Sequence, residues 1–375
     1  MDKVRRIGVS VDLVGSYGRG IFLGLRQYAQ EVDNWHCQFC SVWLGADDTD
    51  ISTWKVDGWI GYGQEARLLA ALRSRPRPLV CVSTAQTTRR RPAVVPDNKA
   101  VGRMAFDYLL DRGHTHFAFV GHDSLFSDLR QAAFVEAVGE FGRTCHQFPR
   151  HLFAPHADKE LRRWLSRLPK PVGIFAGSDH IGAIVLDCCR EQRIAVPQAV
   201  AVLSVDNDEL YCTARLPSLS SIQLNTFRIG YEAAATLDRM LNGETPPHKA
   251  LLIPPLHVVT RKSTDALAFA DDQVRRAVQF IHERITHPTT AADVIHQAAV
   301  SPATIESRFR RQLKCSILHY THKVHVEHAM SLLSSTRLSV WEVARASGFT
   351  STTRMGIIFR RVAGQTPSEY RRQTV

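Results

Sequence analysis

Arg310-Arg311 and Arg360-Arg361 lie fifty positions apart in two copies of one pattern, FRRQLKCSILHY from Phe309 to Tyr320 and FRRVAGQTPSEY from Phe359 to Tyr370. A guanidinium is a planar fork of donors that grips phosphate oxygens, so a repeated arginine pair is the chemistry of a nucleic-acid surface. AADVIHQAAVS precedes the first copy and VWEVARASGFT the second. Repetition at this period marks one supersecondary unit used twice: a short helix, a tight turn and a cationic second helix. In such a unit the exposed residues in the first half of the second helix reach base edges, and cations beyond them hold the backbone. The base-reading candidates are Pro302, Ala303, Thr304, Glu306 and Ser307 in the first unit and Ser351, Thr352, Thr353 and Arg354 in the second. Arg308, Arg310, Arg311, Arg360 and Arg361 are the phosphate candidates. The expected partner is double-stranded DNA.

A second set of polar groups follows short apolar runs in the first two thirds of the chain. Asp12 comes after RIGVSV, Asp123 after HFAFVG, Ser178 and Asp179 after GIFAG, and Asp206 and Asn207 after VAVLSV. In an open α/β sheet the carboxyl ends of the strands face the ligand crevice, so these groups predict a small-molecule site. Metal chemistry is poorly served. Cys37 and Cys40 are three apart on a strand pattern and point to opposite faces. His319, His322, His325 and His328 recur every third residue, which drifts around a helix where a metal wants i,i+4 pairs. They are expected on the surface or facing DNA. Neither a metal nor any other cofactor is expected. No G-x-S-x-G, Walker or strand-associated G-x-G-x-x-G motif is present, so the chain is not expected to be an enzyme.

The elements that must carry these groups divide the chain in two. From Val4 to about Val259, apolar runs such as PLVCVS and HFAFVG alternate with amphipathic stretches such as AVGRMAFDYLLDRG. That rhythm means parallel strands covered by helices, and its length suits two sheets better than one. After a last strand and a connecting stretch the pattern turns wholly helical. Thr290 with Asp293, Ser339 with Glu342 and Thr366 with Glu369 fit capping boxes, and Pro302 and Pro367 suit first helical positions. Seven helices are expected, at 273–286, 291–298, 302–313, 317–334, 340–346, 351–363 and 367–372. The predicted domains are an α/β domain at 1–260, a linker at 261–272 and a helical module at 273–375. Of the net charge of +11, the last 105 residues hold +7, with 15 Lys and Arg against 8 Asp and Glu, as phosphate binding requires. No apolar run suits a signal peptide or a membrane span, so a cytoplasmic protein without a membrane partner is expected.

LSVWEVARASGF and FRRVAGQTPSEYRR resemble the AraC-type DNA-binding domain. The resemblance implies two helix-turn-helix units joined by a long helix, each with a recognition helix in successive major grooves. Where that family carries an aromatic pair and a basic residue, this chain has Arg354-Met355-Gly356-Ile357, and Lys314 stands where the repeat has Gly364. VVPDNKAVGRMAFDYLLDRG, FAGSDHIGAIVLDCCREQRI and LPSLSSIQLNTFRIGYEAAATLDRMLNGE resemble the lactose-repressor and periplasmic sugar-binding fold. This implies two lobes closing on a sugar, with crossings near 97–103, 220–228 and 250–258. It adds Asp97 at the first crossing and Arg130 as a ligand-facing cation, with Tyr17 and Trp43 as candidates for the face of a sugar ring.

Joined together, and with Tyr17-Gly18-Arg19, VDNDEL and RKSTD in place, the two resemblances are those of the regulators of bacterial xylose operons. They imply a transcription factor controlling sugar catabolism, with a pentose such as D-xylose or a related sugar as effector. They also imply a homodimer and contact with RNA polymerase. Asp12, Tyr17, Arg19, Asp97, Arg130, Ser178, Asp179 and Asp206 form the expected ligand set. A transport-type sugar-binding protein is the rival reading, and the appended helical module argues against it.

Overall fold

The Val-, Ile- and Phe-rich runs become strands because β-branched and aromatic side chains pack well on a pleated surface covered on both faces. A computed structural model describes residues 4–40, 50–84, 91–149, 152, 157–245, 249–298 and 300–374. In the first lobe, β1 (Arg5–Ser10), β2 (Trp35–Cys40), β3 (Gly58–Gly61) and β4 (Leu79–Cys81) form a parallel sheet in the order β2-β1-β3-β4. Ile7 stands opposite Cys37 on one side and Gly58 on the other. α1 (Ser16–Val32) and α2 (Ala66–Ser74) connect these strands. β5 (Val94–Pro96) then leads into α3 (Asn98–Asp111) and the second lobe.

The second lobe is built on β6 (His116–Val120), β7 (Cys145–Gln147), β8 (Val172–Ala176), β9 (Val200–Val205), β10 (Ser220–Gln223) and β12 (His257–Val259). Their order is β12-β10-β9-β8-β6-β7, parallel except for β12 against β10. α4 (Leu125–Glu140), α5 (Ala157–Arg167), α6 (Asp179–Glu191) and α7 (Glu209–Thr213) lie between these strands. The chain returns to the first lobe through α8 (Thr226–Leu241), and β11 (Leu251–Ile253) pairs with β5. The crossings therefore fall at 96–98, 223–226 and 253–257, within or beside each of the three expected stretches. α8 lies so close to α1 that a Cβ on Gly230 would sit 1.9 Å from the Ile21 carbonyl oxygen, and one on Gly24 1.9 Å from that of Phe227. Glycine there is a packing requirement.

Among the described residues seven helices follow: α9 (Asp272–Glu283), α10 (Ala291–Gln297), α11 (Pro302–Leu313), α12 (Ile317–Ser335), α13 (Val340–Ala346), α14 (Thr352–Ala363) and α15 (Pro367–Thr374). All three capping boxes form, with Thr290 and Asp293, Ser339 and Glu342, and Thr366 and Glu369 exchanging side-chain and backbone hydrogen bonds. Lys314 ends α11 in the left-handed conformation at φ 58°, as Gly364 ends α14 at φ 74°. The geometry is thus kept without glycine, at a cost of about 1–2 kcal/mol for the crowded Cβ. One expectation fails: His325 is not on the surface but 3% exposed, with Nδ1 2.8 Å from the Ser347 carbonyl. It tethers α12 to the end of α13. His319 is exposed, and His322 and His328 are half-buried.

The stretch between the modules is seated on the sensor. The Ser263 hydroxyl donates to the Val202 carbonyl at 2.6 Å, and the Ala268 amide donates to that of Arg112 at 2.7 Å. Phe269, 7% exposed, already belongs to the apolar core of α9 to α12. A fragment of residues 266–375 is therefore expected to unfold cooperatively by circular dichroism. One starting at 273 loses Phe269 and the Asp271 cap of α9, and should be less stable by about 3–5 kcal/mol. Equal melting curves for the two would show that Phe269 is not part of that core.

Candidate functional site

The crevice between the lobes is organised around Arg130, on α4. The side chain is 3% exposed. Its Nε donates to Asn98 Oδ1 at 2.9 Å and its Nη1 to the Gly177 carbonyl at 2.6 Å, while Nη2 stands 3.8 Å from Asp206 Oδ1. Phe126, one turn earlier, lies with its ring centroid 5.0 Å from the guanidinium carbon. A buried cation persists only when it is paired and hydrogen-bonded, and here the strand ends supply the partners. Asp206 closes β9 in a backbone conformation that side chains rarely adopt, φ 109°, which stores roughly 1–3 kcal/mol. Desolvation pushes its carboxyl up to about 7 against the pull of Arg130, with Asp179 and Asp208 adding to the rise. A quarter of its side chain remains exposed, so a ligand can reach it.

From the first lobe, Tyr17 at the start of α1 faces the same group. Its hydroxyl donates to the Val82 carbonyl at 2.6 Å, and its ring lies 6.4 Å from that of Tyr62. Burial, with Tyr62 adding, holds the Tyr17 hydroxyl well above its ordinary pKa despite Arg130, so it stays a protonated donor. Two tyrosines from one lobe thus lie within electrostatic reach of Asp206 from the other, and Tyr17 of Arg130 as well. Such a site offers ring faces together with donors and acceptors fixed in direction.

Several expected ligand residues are spent on the scaffold. Asp97 caps α3 by accepting from the Ala100 amide at 3.0 Å, and Ser178 caps α6. Asp179 is a correction to its expected role: Oδ1 accepts from Ser204 and Ser221 at 2.5 and 2.6 Å, and Oδ2 from the Asp208 amide at 2.6 Å. A carboxylate committed on both oxygens anchors strand ends and has little left for a ligand. Arg19 also has protein partners. Its Nη2 lies 3.4 Å from Asp208 and its other arm bonds the Val14 carbonyl, so it latches one lobe to the other. The Ser16 amide donates to the same Asp208 at 2.8 Å. Asp12 is half-buried beside Tyr62 and accepts from the Val14 amide at 2.9 Å. Asp123 is exposed, and Trp43 lies outside the described residues. Tyr62, Phe126 and Asn98 were not among the expected residues. Tyr62 follows β3 by the strand-end rule that found Asp206, and Phe126 precedes Arg130 by one helical turn, so both had a signal. Asn98 owes its place to the buried Arg130, which the sequence does not display.

The helical module presents a second surface. Ile305 and Phe309 on α11, and Met355 and Phe359 on α14, are buried. The opposite faces are exposed: Ala303, Ser307, Arg310 and Arg311 on one helix, and Thr353, Arg360 and Arg361, with Arg354 beside them, on the other. The first set steps by four, three and one residues and the second by seven and one, and both spacings align their members along a helix. Pro302 and Ser351 are exposed at the helix starts, and Thr304 and Thr352 are half-buried. Glu306 turns inward, accepting from Arg310 Nε at 3.0 Å and from the Ile317 amide at 3.4 Å. Arg308 lies 3.4 Å from Asp271, the cap of α9. Both depart from the expected DNA-facing set. Among the described residues no group of His, Cys, Asp and Glu could hold a metal ion, and no helix is long and apolar enough to cross a membrane.

Residues 106–264 match the model of a periplasmic binding protein-like domain, and residues 295–373 that of a helix-turn-helix domain. The chain is a transcription regulator that joins a periplasmic-binding-protein-like sensor to an AraC-type helix-turn-helix domain. The regulator is 29% identical to the xylose operon regulatory protein of Haemophilus influenzae, over 95% of each chain. It is 29% identical to that of Escherichia coli K12, over 98% of this chain and 97% of the other. A solved structure described as the xylose-binding transcription activator xylR shares 27% identity and a TM-score of 0.63, covering 99% of this chain and 98% of that one. The transcription regulator CcpA of Lactococcus lactis, at 17% identity and a TM-score of 0.57, covers 70% of this chain and all of its own, and shares the sensor's fold.

The two arginine environments separate in a salt titration. Arg311→Ala and Arg360→Ala should each weaken DNA binding at all sequences and reduce the slope of log affinity against log salt by about one. Arg308→Ala should leave that slope unchanged and cost about 1 kcal/mol or less of stability, the worth of a partly exposed ion pair. A flattened slope for Arg308→Ala would return that residue to the phosphates.

Proposed function

We propose that this regulator responds to a pentose, D-xylose first among them, which closes the crevice around Arg130 and Asp206 and alters how paired helical modules engage an operator. The observation that carries the reading is the constellation of Tyr17, Tyr62, Arg130 and Asp206, two aromatic faces and a charged pair converging from two lobes. Vicinal hydroxyls donate to a carboxylate and accept from a guanidinium, and an aromatic face covers the C–H side of a sugar ring. Likeness over nearly the full chain to regulators named for xylose supports the choice of sugar. Structures sharing the fold are described with bound ribose and cellobiose, so another sugar is the alternative effector. The active form in this reading is a cytoplasmic homodimer whose four helix-turn-helix units match a spaced operator, and which acts on sugar catabolic genes through contact with RNA polymerase.

Asp206 gives the reading its test. Its raised carboxyl ionises when hydroxyls donate to it, so sugar binding should release protons and tighten as pH rises from about 5 to 8. Asp206→Asn should remove that dependence. Asp206→Ala should weaken D-xylose at least tenfold, because each charge-assisted bond is worth about 1.5–3 kcal/mol. Titration calorimetry beside a melting curve separates lost contacts from lost fold. Unchanged affinity in the alanine variant would take Asp206 out of the site, and no heat from wild type with any pentose or hexose would end the sugar reading.

A further inference from the structure

The second recognition helix carries an apolar side chain where a DNA surface would be expected to carry a polar one. Ile357 is 60% exposed and belongs to none of the apolar clusters of the described residues. A lone exposed hydrophobic residue means little by itself. Its position means more. The two helix-turn-helix units align in sequence with an offset of fifty, Ile305 with Met355 and Phe309 with Phe359, all four buried. That alignment sets Ile357 where the first unit has the exposed Ser307. It therefore lies midway along the outward face of α14, between Thr353 and the Arg360-Arg361 pair and beside Arg354.

Gly356 adds an independent observation. Glycine weakens a helix interior, and the usual reasons for tolerating it do not hold here. A Cβ built on Gly356 would meet nothing within 4 Å, and its φ is not positive. Neither packing nor backbone conformation requires glycine. What the missing side chain leaves is a flat place on the solvent side of α14, adjacent to Ile357. Around it stand three exposed guanidiniums, those of Arg354, Arg360 and Arg361, and their charge selects a polyanion as the covering surface.

We propose that Ile357, brought close by the gap at Gly356, contacts the 5-methyl group of a thymine in the major groove, so that the second unit recognises its part of the operator by apolar contact. An isoleucine side chain has neither donor nor acceptor, and the thymine methyl is the one apolar group that the four standard bases present in that groove. Arginines 354, 360 and 361 hold the helix on the flanking phosphates while Ile357 tests for the methyl. The first unit, with Ser307 in the same position, reads its part by hydrogen bonding. The inference rests on the conclusion that this module reads DNA.

The test uses the full-length protein. Duplexes that it binds are selected from a random-sequence pool, and in the selected site each thymine is replaced in turn by uracil, which lacks only the methyl. At one thymine the replacement should weaken wild type about fourfold, the worth of one buried methyl group. Ile357→Ala should bind the thymine site several-fold more weakly than wild type and lose nothing further with uracil there, while its melting temperature stays the same. Gly356→Ala should raise the melting temperature and weaken binding at least threefold. Uracil losses that are equal in wild type and Ile357→Ala at every position would overturn the role of Ile357 while leaving DNA reading intact. Selection of no sequence by wild type would overturn DNA reading and this proposal with it. Undiminished binding by Gly356→Ala would overturn the close approach.

Discussion

A guanidinium held at 3% exposure between two lobes sets the terms for the rest of the sensor. Removing a cation from water costs several kcal/mol unless the charge is paired and hydrogen-bonded. Arg130 meets that demand with three groups from three places: Asn98 at the first crossing, the Gly177 carbonyl after β8, and Asp206 after β9. Asn98 and Gly177 are thereby fixed by hydrogen bonds, and Asp206 is drawn in by charge at 3.8 Å. The second-lobe wall of the crevice is preorganised before any ligand arrives, and preorganisation is where binding sites recover the entropy of association. The left-handed backbone of Asp206 fits the same account, since strain persists where surrounding contacts over-determine a residue.

The neighbouring residue carries that geometry outward. Asn207, also left-handed at φ 50°, donates to Gln223 at 2.6 Å and accepts from Arg261 Nη2 at 2.7 Å. Arg261 opens the stretch that leads to the helical module, and Ser263 and Thr264 beside it are fully buried. A second route runs through α3. Tyr320 of α12 donates to the Asp111 carbonyl at 3.1 Å, Lys323 pairs with the Asp111 side chain, and Lys314 stands 5.4 Å from the Phe141 ring centroid. Leu256, next to β12, packs in the core of the second helix-turn-helix unit. The sensor's second lobe and the module thus share buried polar and apolar contacts. Bonded connections run from the crevice wall toward the helical module, the kind of packed network that can carry coupling between sites.

Within the helical module, repetition is a physical economy. Each unit buries one stripe of apolar residues, from Ile305 through Leu313 or from Met355 through Phe359, and places its arginine pair on the far side. Side-chain caps at every helix start of the module from α9 to α14 satisfy amides that would otherwise be left unpaired. The faces left outward are free to be chosen for DNA, and the two units choose differently, Ser307 in one and Ile357 in the other.

The sequence by itself determined whatever depends on local periodicity and local chemistry. The alternation of strands and helices, the capping boxes and the matched arginine pairs all follow from side-chain spacing, which is printed in the chain, and the three lobe crossings came by resemblance. It also singled out Arg130 and Asp206, by resemblance and by the strand-end rule. Tertiary structure alone decided which polar groups remain available. Asp179, Arg19, Arg308 and Glu306 have the same composition signals as the other candidates, but each bonds to partners elsewhere in the chain, up to 189 positions away in sequence. His325 belongs to the same class: a spacing of three said nothing of the Ser347 carbonyl that buries it. A hydrogen bond between distant segments depends on how lobes and helices dock, and docking is settled by the whole core, which no local pattern records.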